Sequence, residues 1–259
     1  RMGSGEVIDH MFYDGLQNPY DQNLMGYFAE QTSKQYGFTR EDQDLFSIES
    51  VSRSLRAQKS GLFDDEIEPV VVKTRRDTTT ISKDEEPEKC DIDKIPSMRP
   101  AFDKNGTVTA ASSSSISDGA ASLIIMSADE AESRGLEPLA IIRGHKRHSQ
   151  EPEWFTTANI GAIDKLHKKL DWNKDLVDLY EINEAFACVT MAAMTDLDID
   201  HNKLNIHGGA CALGHPIGAS AARILITLIY ALKANKGKRG IASACNGGGE
   251  AVAIAIEIP

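Results

Sequence analysis

Along the second half of the chain, short apolar runs alternate with longer amphipathic stretches. From residue 120 the order is "SLIIMS" (strand), "SADEAESRGL" (helix, with Ser127 and Glu130 at its start), "LAIIRG" (strand) and "GAIDKLHKKL" (short helix). Then come "VDLYEI" (strand), "NEAFACVTMAAM" (helix), "KLNI" (strand) and "GASAARILITLIYALKA" (helix). "RGIASAC" and "AVAIAIEI" close the series as an antiparallel pair joined across three glycines. Alternation of this kind predicts an α/β fold, a layered sheet covered by helices. The near-continuous apolar runs suit strands buried on both faces.

Residues 1 to about 116 are polar and irregular. They hold helical stretches near 22–36 and 40–59, the second opened by a capping box of Thr39 and Asp42. "EPVVVKTR" (68–75) reads as a strand, and residues 77–100, rich in charge and proline, read as loop. "SSSS" (112–115) is compatible with a flexible linker, though four serines do not require one.

Composition narrows the function. A chain of 259 residues, 41% hydrophobic, can bury one large core or two smaller ones. Its 28 Lys plus Arg against 39 Asp plus Glu argue against general binding to nucleic acid or anionic membranes. A polyanionic ligand would need a local basic patch, for which "KTRR" (73–76) and "HKRH" (145–148) are candidates. No apolar stretch has the length of a transmembrane helix. The four cysteines, at 90, 188, 211 and 245, show no zinc spacing and fit a reducing compartment. The chain opens "RMGSGEV", with no secretory signal, and is expected to be a fragment of a longer protein.

Three polar clusters fall where a predicted strand ends, the place from which such sheets present chemistry. "INEAFA" (182–187) follows "VDLYE", "HGGACALGHPIGAS" (207–220) follows "KLNI", and "CNGGGEA" (245–251) follows "GIASA". Each has a bland reading. His215 could be a satisfied structural histidine, with Pro216 at the first helical position. Cys245 could be a small buried hydrophobe, Asn183 a helix cap, and the glycines a tight turn. Their coincidence shifts the balance. A base, a thiol, an amide and a flexible backbone able to aim N–H groups at an oxyanion suit carbonyl and enolate chemistry.

In that order and spacing, "NEAFA", "GGACALGHPIGAS" and "CNGGGEA" resemble the thiolases, the acyl-CoA C-acyltransferases. "GEVIDHMFYDGL", "LMGYFAEQ", "MRPAFDKNGTVTA" and "SDGAA" match the same family upstream, so the resemblance covers essentially the whole chain. It implies the layered α-β-α-β-α thiolase fold, present as a loop domain (1–116), a return to the N-terminal half (117–133) and the C-terminal domain (134–259).

Carried over, Cys245 is the acid/base acting on the proton α to the thioester. His215 activates the acyl-accepting cysteine, Asn183 positions a water at one oxyanion site, and the Gly247 N–H serves the other. Ser114 would contact pantetheine, and Arg75 falls near the family's adenine-stacking arginine. Met25, Phe155, Ala185 and Phe186 would line the substrate site. Coenzyme A thioesters are substrates, so no cofactor or metal is expected.

None of the four cysteines stands in the family's nucleophile motif. The resemblance therefore implies that the nucleophile comes from a missing segment or a partner chain, and that these 259 residues alone are inactive. It also implies a homo-oligomer, dimer or tetramer, with a cytoplasmic location, or a mitochondrial one in a eukaryote. Leu24-Met25-Gly26 and Phe155 depart from the short-chain enzymes and leave acyl length open. Two rivals remain: a ketoacyl-synthase-type condensing enzyme, against which "CNGGGEA" speaks, and an inactive fragment or interaction subunit.

Overall fold

The computed structural model describes residues 2–259. After a short π-helical segment (Met11–Leu16) come α1 (Met25–Tyr36) and α2 (Arg40–Lys59), then a hairpin of β1 (Val70–Lys73) and β2 (Thr78–Ile81). Next are α3 (Glu86–Lys89), α4 (Ala128–Ser133), β3 (Ile141–Ser149), α5 (Ala158–Leu170) and β4 (Leu179–Ile182). The chain continues through α6 (Ala187–Leu197), α7 (Ala210–Leu213) and α8 (Ser220–Ala234) to β5 (Arg239–Asn246) and β6 (Glu250–Glu257).

Strands β3, β6, β5 and β4 form one sheet in that order; β4 runs parallel to β5, and the other pairs are antiparallel. Helices pack on both faces of this sheet, while the edge strand β3 is largely exposed. Ala162, Ile163 and Leu166 of α5 pack with Ala193 of α6 against Ile182, Ile241 and Ala253. On the opposite face, Ile224, Leu228 and Leu232 of α8, spaced to share one side of a helix, pack against Leu179, Ala242 and Ile256.

A third cluster, Phe28, Val108, Phe155, Phe186 and Val189, joins the polar N-terminal part to the sheet, and Met25, Ala185 and Cys245 pack on it. Local signals start and stop the elements as expected. The Thr39 Oγ1 accepts the Asp42 N–H at 3.1 Å, and the Asp42 carboxylate accepts the Thr39 N–H at 2.8 Å. Gly37, with φ of 70°, ends α1.

Four sequence expectations change. Residues 122–127 form no strand. They run without a ladder partner among the described residues, with Ile124 88% exposed, and a strand exists only through such pairing. "KLNI" yields a single bridge, Tyr180 to Leu204, because the Asn205 side chain takes over the pairing. Its Oδ1 accepts the Ile182 N–H and its Nδ2 donates to the Ile182 carbonyl, both at 2.9 Å. The 77–100 region is not all loop: threonines 78–80 complete an exposed hairpin with β1, and β-branched residues favour that geometry. Pro216 lies a turn upstream of α8, whose N-cap is Ala219, rather than at its first position.

Between β5 and β6, Gly249 adopts φ of 86° and its carbonyl accepts the Gln150 N–H at 2.9 Å. A methyl there would run into the Gln150 carbonyl oxygen as well as straining the backbone. Gly249→Ala is expected to cost at least about 1–3 kcal/mol, read as a lower denaturation midpoint at unchanged slope. An unchanged midpoint would show that the turn relaxes freely.

Candidate active site

The parallel pair β4 and β5 brings two of the polar clusters to one edge of the sheet. Ile182 lies opposite Ser243, and the Asn183 N–H donates to the Ser243 carbonyl at 3.0 Å, two residues before Cys245. Asn183 does not cap α6, whose N-cap is Phe186. Its side chain is instead buried and turned toward His215, with Nδ2 3.5 Å from the imidazole Nε2. The Asn183 Oδ1 is buried and has no partner, an acceptor left open beside a base.

Two serines orient His215. Its N–H donates to the Ser115 carbonyl at 3.0 Å, and Ile116 forms a bridge to it, so the serine run is a clamp rather than a linker. On the ring, Nδ1 lies 2.6 Å from the Ser220 Oγ, and Ser220 donates its own proton to the Pro216 carbonyl at 3.0 Å. Ser220 can then only accept, so the network assigns the proton of the neutral ring to Nδ1 and leaves the Nε2 lone pair facing Asn183. Burial, with the Arg223 guanidinium adding to it, holds the imidazole below its ordinary value, so it rests neutral. His215 is thereby prepared as a base.

Cys245, next to last in β5, lies among apolar side chains. Burial pushes its thiol up to about 11, opposed by the Asn159 amide. It therefore rests protonated, a proton donor whose conjugate thiolate is a strong base. Behind it, the Gly247 N–H donates to no group among the described residues, whereas the Gly248 N–H is taken by the Asn246 Oδ1 at 2.8 Å. A methyl on Gly247 would meet the Met25 Sδ at 2.7 Å, which puts the start of α1 directly against the glycine loop.

The remaining expected residues divide. Phe155, Phe186, Ala185 and Met25 gather in the apolar cluster that Cys245 joins. The Ser114 N–H and Oγ both bond the Ala185 carbonyl, at 3.1 and 3.0 Å, tying the serine run to "NEAFA". Arg75 is exposed in the turn between β1 and β2 and is not brought into this group.

Sequence reasoning missed three supports. Glu184 accepts from the Ser50 Oγ (2.8 Å), the Asn205 Nδ2 (2.8 Å) and the Cys211 N–H (3.1 Å), fixing the loop that leads to His215. Burial raises this carboxyl, against those three bonds. Phe102 meets Phe186 edge-on, with centroids 5.9 Å apart. Ser220 was within the quoted "GHPIGAS", but only the ring geometry reveals its role. Of the other cysteines, burial pushes Cys188 up to about 12 and Cys211 well above its ordinary value, so neither is a ready thiolate.

The model of the thiolase N-terminal domain matches residues 1–129, and that of the thiolase C-terminal domain matches residues 136–258. A probable acetyl-CoA acetyltransferase of Dictyostelium discoideum is 47% identical over 258 residues, 99% of this chain and 62% of its own length. The crystal structure of the Bacillus anthracis acetyl-CoA acetyltransferase superposes with a TM-score of 0.96 at 41% identity. That comparison covers all of this chain and 66% of the Bacillus one. An Ascaris suum thiolase, Acat5, solved in complex with coenzyme A, gives 0.90 at 36% identity, again covering all of this chain and 66% of the other. The chain belongs to the thiolase family and has the thiolase fold. It spans about two thirds or less of the length of these relatives.

Proposed function

We propose that this chain forms the acid/base and oxyanion half of a thiolase active site, acting on coenzyme A thioesters of the acetyl-CoA and acetoacetyl-CoA class. One pair of side chains carries the reading: a neutral His215 with its Nε2 lone pair facing Asn183, whose own buried Oδ1 lacks a partner. The named relatives, acetyl-CoA acetyltransferases, and the coenzyme A complex of the Ascaris thiolase support the substrate class.

In the first half-reaction His215 Nε2 takes the proton of an acyl-accepting cysteine, which attacks the thioester carbonyl; the C–S bond to coenzyme A then breaks and His215 returns the proton to the departing thiolate. The free Gly247 N–H is a donor for the oxyanion that forms. In the second, Cys245 moves the proton at the α-carbon. It protonates the leaving acetyl-CoA carbanion in the cleavage direction and removes that proton in condensation. A water that donates one proton to the Asn183 Oδ1 gives its other to the enolate oxygen and stabilises it.

Because His215 is held below its ordinary value of about 6.5, the acid limb of kcat/KM for acylation is expected below pH 6.5. A limb above that value in the free enzyme would contradict a neutral, buried base.

The acyl-accepting cysteine is proposed to lie outside these 259 residues, since burial raises the Cys188, Cys211 and Cys90 thiols and Cys245 is committed to the α-proton. CoA-dependent cleavage of acetoacetyl-CoA should be absent from the 259-residue chain alone and appear when a family segment bearing that cysteine is supplied. Cleavage by the isolated chain would overturn the placement of the nucleophile. No cleavage in either preparation would overturn the function.

A further inference from the structure

Asn159 lies at the start of α5, fully buried, at the back of the candidate site. Its Oδ1 lies 2.7 Å from the hydroxyl of Ser243, which stands on β5 two residues before Cys245. Its Nδ2 is buried and closes no hydrogen bond. A buried amide donor without an acceptor is costly and rare, so this one needs an explanation. Ser243 and Cys245, two apart on β5, share one face of that strand, and the amide held by Ser243 acts on the Cys245 thiol against the effect of burial.

We propose that Asn159 is a positioning residue for Cys245: Ser243 anchors its oxygen so that its N–H closes on the sulfur when the thiol gives up its proton. This rests on the reading of Cys245 as the α-carbon acid/base. The donor is left open in the resting state because a thiol sulfur is a weak acceptor and a thiolate a strong one. In condensation the same contact stabilises the form of Cys245 that removes the α-proton. Ser243 Oγ also lies 2.9 Å from the Val252 carbonyl, and its single proton cannot serve both acceptors fully. The reverse amide orientation, with Nδ2 on Ser243 and Oδ1 on the sulfur, would favour the protonated thiol and gives the opposite sign below.

The test is the pH dependence of iodoacetamide alkylation at Cys245, followed by peptide mass spectrometry in the active, nucleophile-complemented enzyme. Asn159→Leu keeps the volume and removes the donor. Its alkylation midpoint is expected to rise by about one pH unit, which is about tenfold slower labelling below the midpoint. Condensation should fall by a similar factor and recover as pH rises, with acyl exchange little changed. Should Asn159→Leu fail to fold, Ser243→Ala releases the anchor and is expected to raise the midpoint in the same direction by less. A midpoint unchanged or lowered in the folded variants overturns the assignment. The alkylation shift reads the thiol whether or not Cys245 is catalytic. Its absence thus counts against Asn159 alone, whereas a Cys245→Ala enzyme that still condenses counts against the proposed function.

Discussion

A Cys245→Ala enzyme is expected to lose carbon–carbon bond formation and cleavage while keeping part of its acyl exchange with coenzyme A. Exchange needs only attack at the thioester carbonyl and a proton for the leaving thiol, both assigned to His215 in the proposed mechanism. Condensation and cleavage also need a proton moved at the α-carbon. Positioned acid–base groups contribute on the order of 10²–10⁴-fold, so the defect should be of that size and confined to one half-reaction. If Cys245 only filled space, the outcome would differ. The cavity left by a missing sulfur would lower stability modestly and reduce both assays alike.

His215→Ala is expected to abolish both. In the proposed mechanism the Nε2 lone pair takes the nucleophile's proton, and the same ring stands beside the open Asn183 oxygen that would hold the water for the enolate. A loss of roughly 10²–10⁴-fold is expected in acyl exchange and at least as much in condensation. Ser220→Ala separates base chemistry from orientation. Without the acceptor 2.6 Å from Nδ1, the ring loses its preferred tautomer, so the variant should retain a fraction of both activities. Exchange at the wild-type rate in His215→Ala would remove His215 from the acylation step.

Much of this architecture was legible in the sequence because its causes are local. The repeat of Ile224, Leu228 and Leu232 sets α8, the Thr39–Asp42 box starts α2, and three glycines between two apolar runs close the β5–β6 hairpin. What failed was non-local. "SLIIMS" and "KLNI" have the composition of strands, but composition does not supply the neighbour that pairs with them. At the second of these, a side-chain amide from Asn205 replaces the ladder.

The site divides in the same way. The order of the three motifs marked His215, Asn183, Cys245 and Gly247, and the fold brings Asn183 against His215 and next to the strand that carries Cys245. The contacts that prepare these groups join residues far apart in the chain. Asn159 meets Ser243, and Ser50 meets Glu184, across 84 and 134 positions. No local pattern announces such pairs.

The central claim is that Cys245 carries the α-proton, and hydrogen exchange at that carbon tests it most directly. Acetyl-CoA incubated in heavy water with the active enzyme should take up deuterium at its methyl group, monitored by proton NMR. Cys245→Ala should leave the methyl group protonated over the same period while still exchanging coenzyme A. Deuterium uptake by Cys245→Ala at the wild-type rate would place the α-proton on another group and contradict the mechanism.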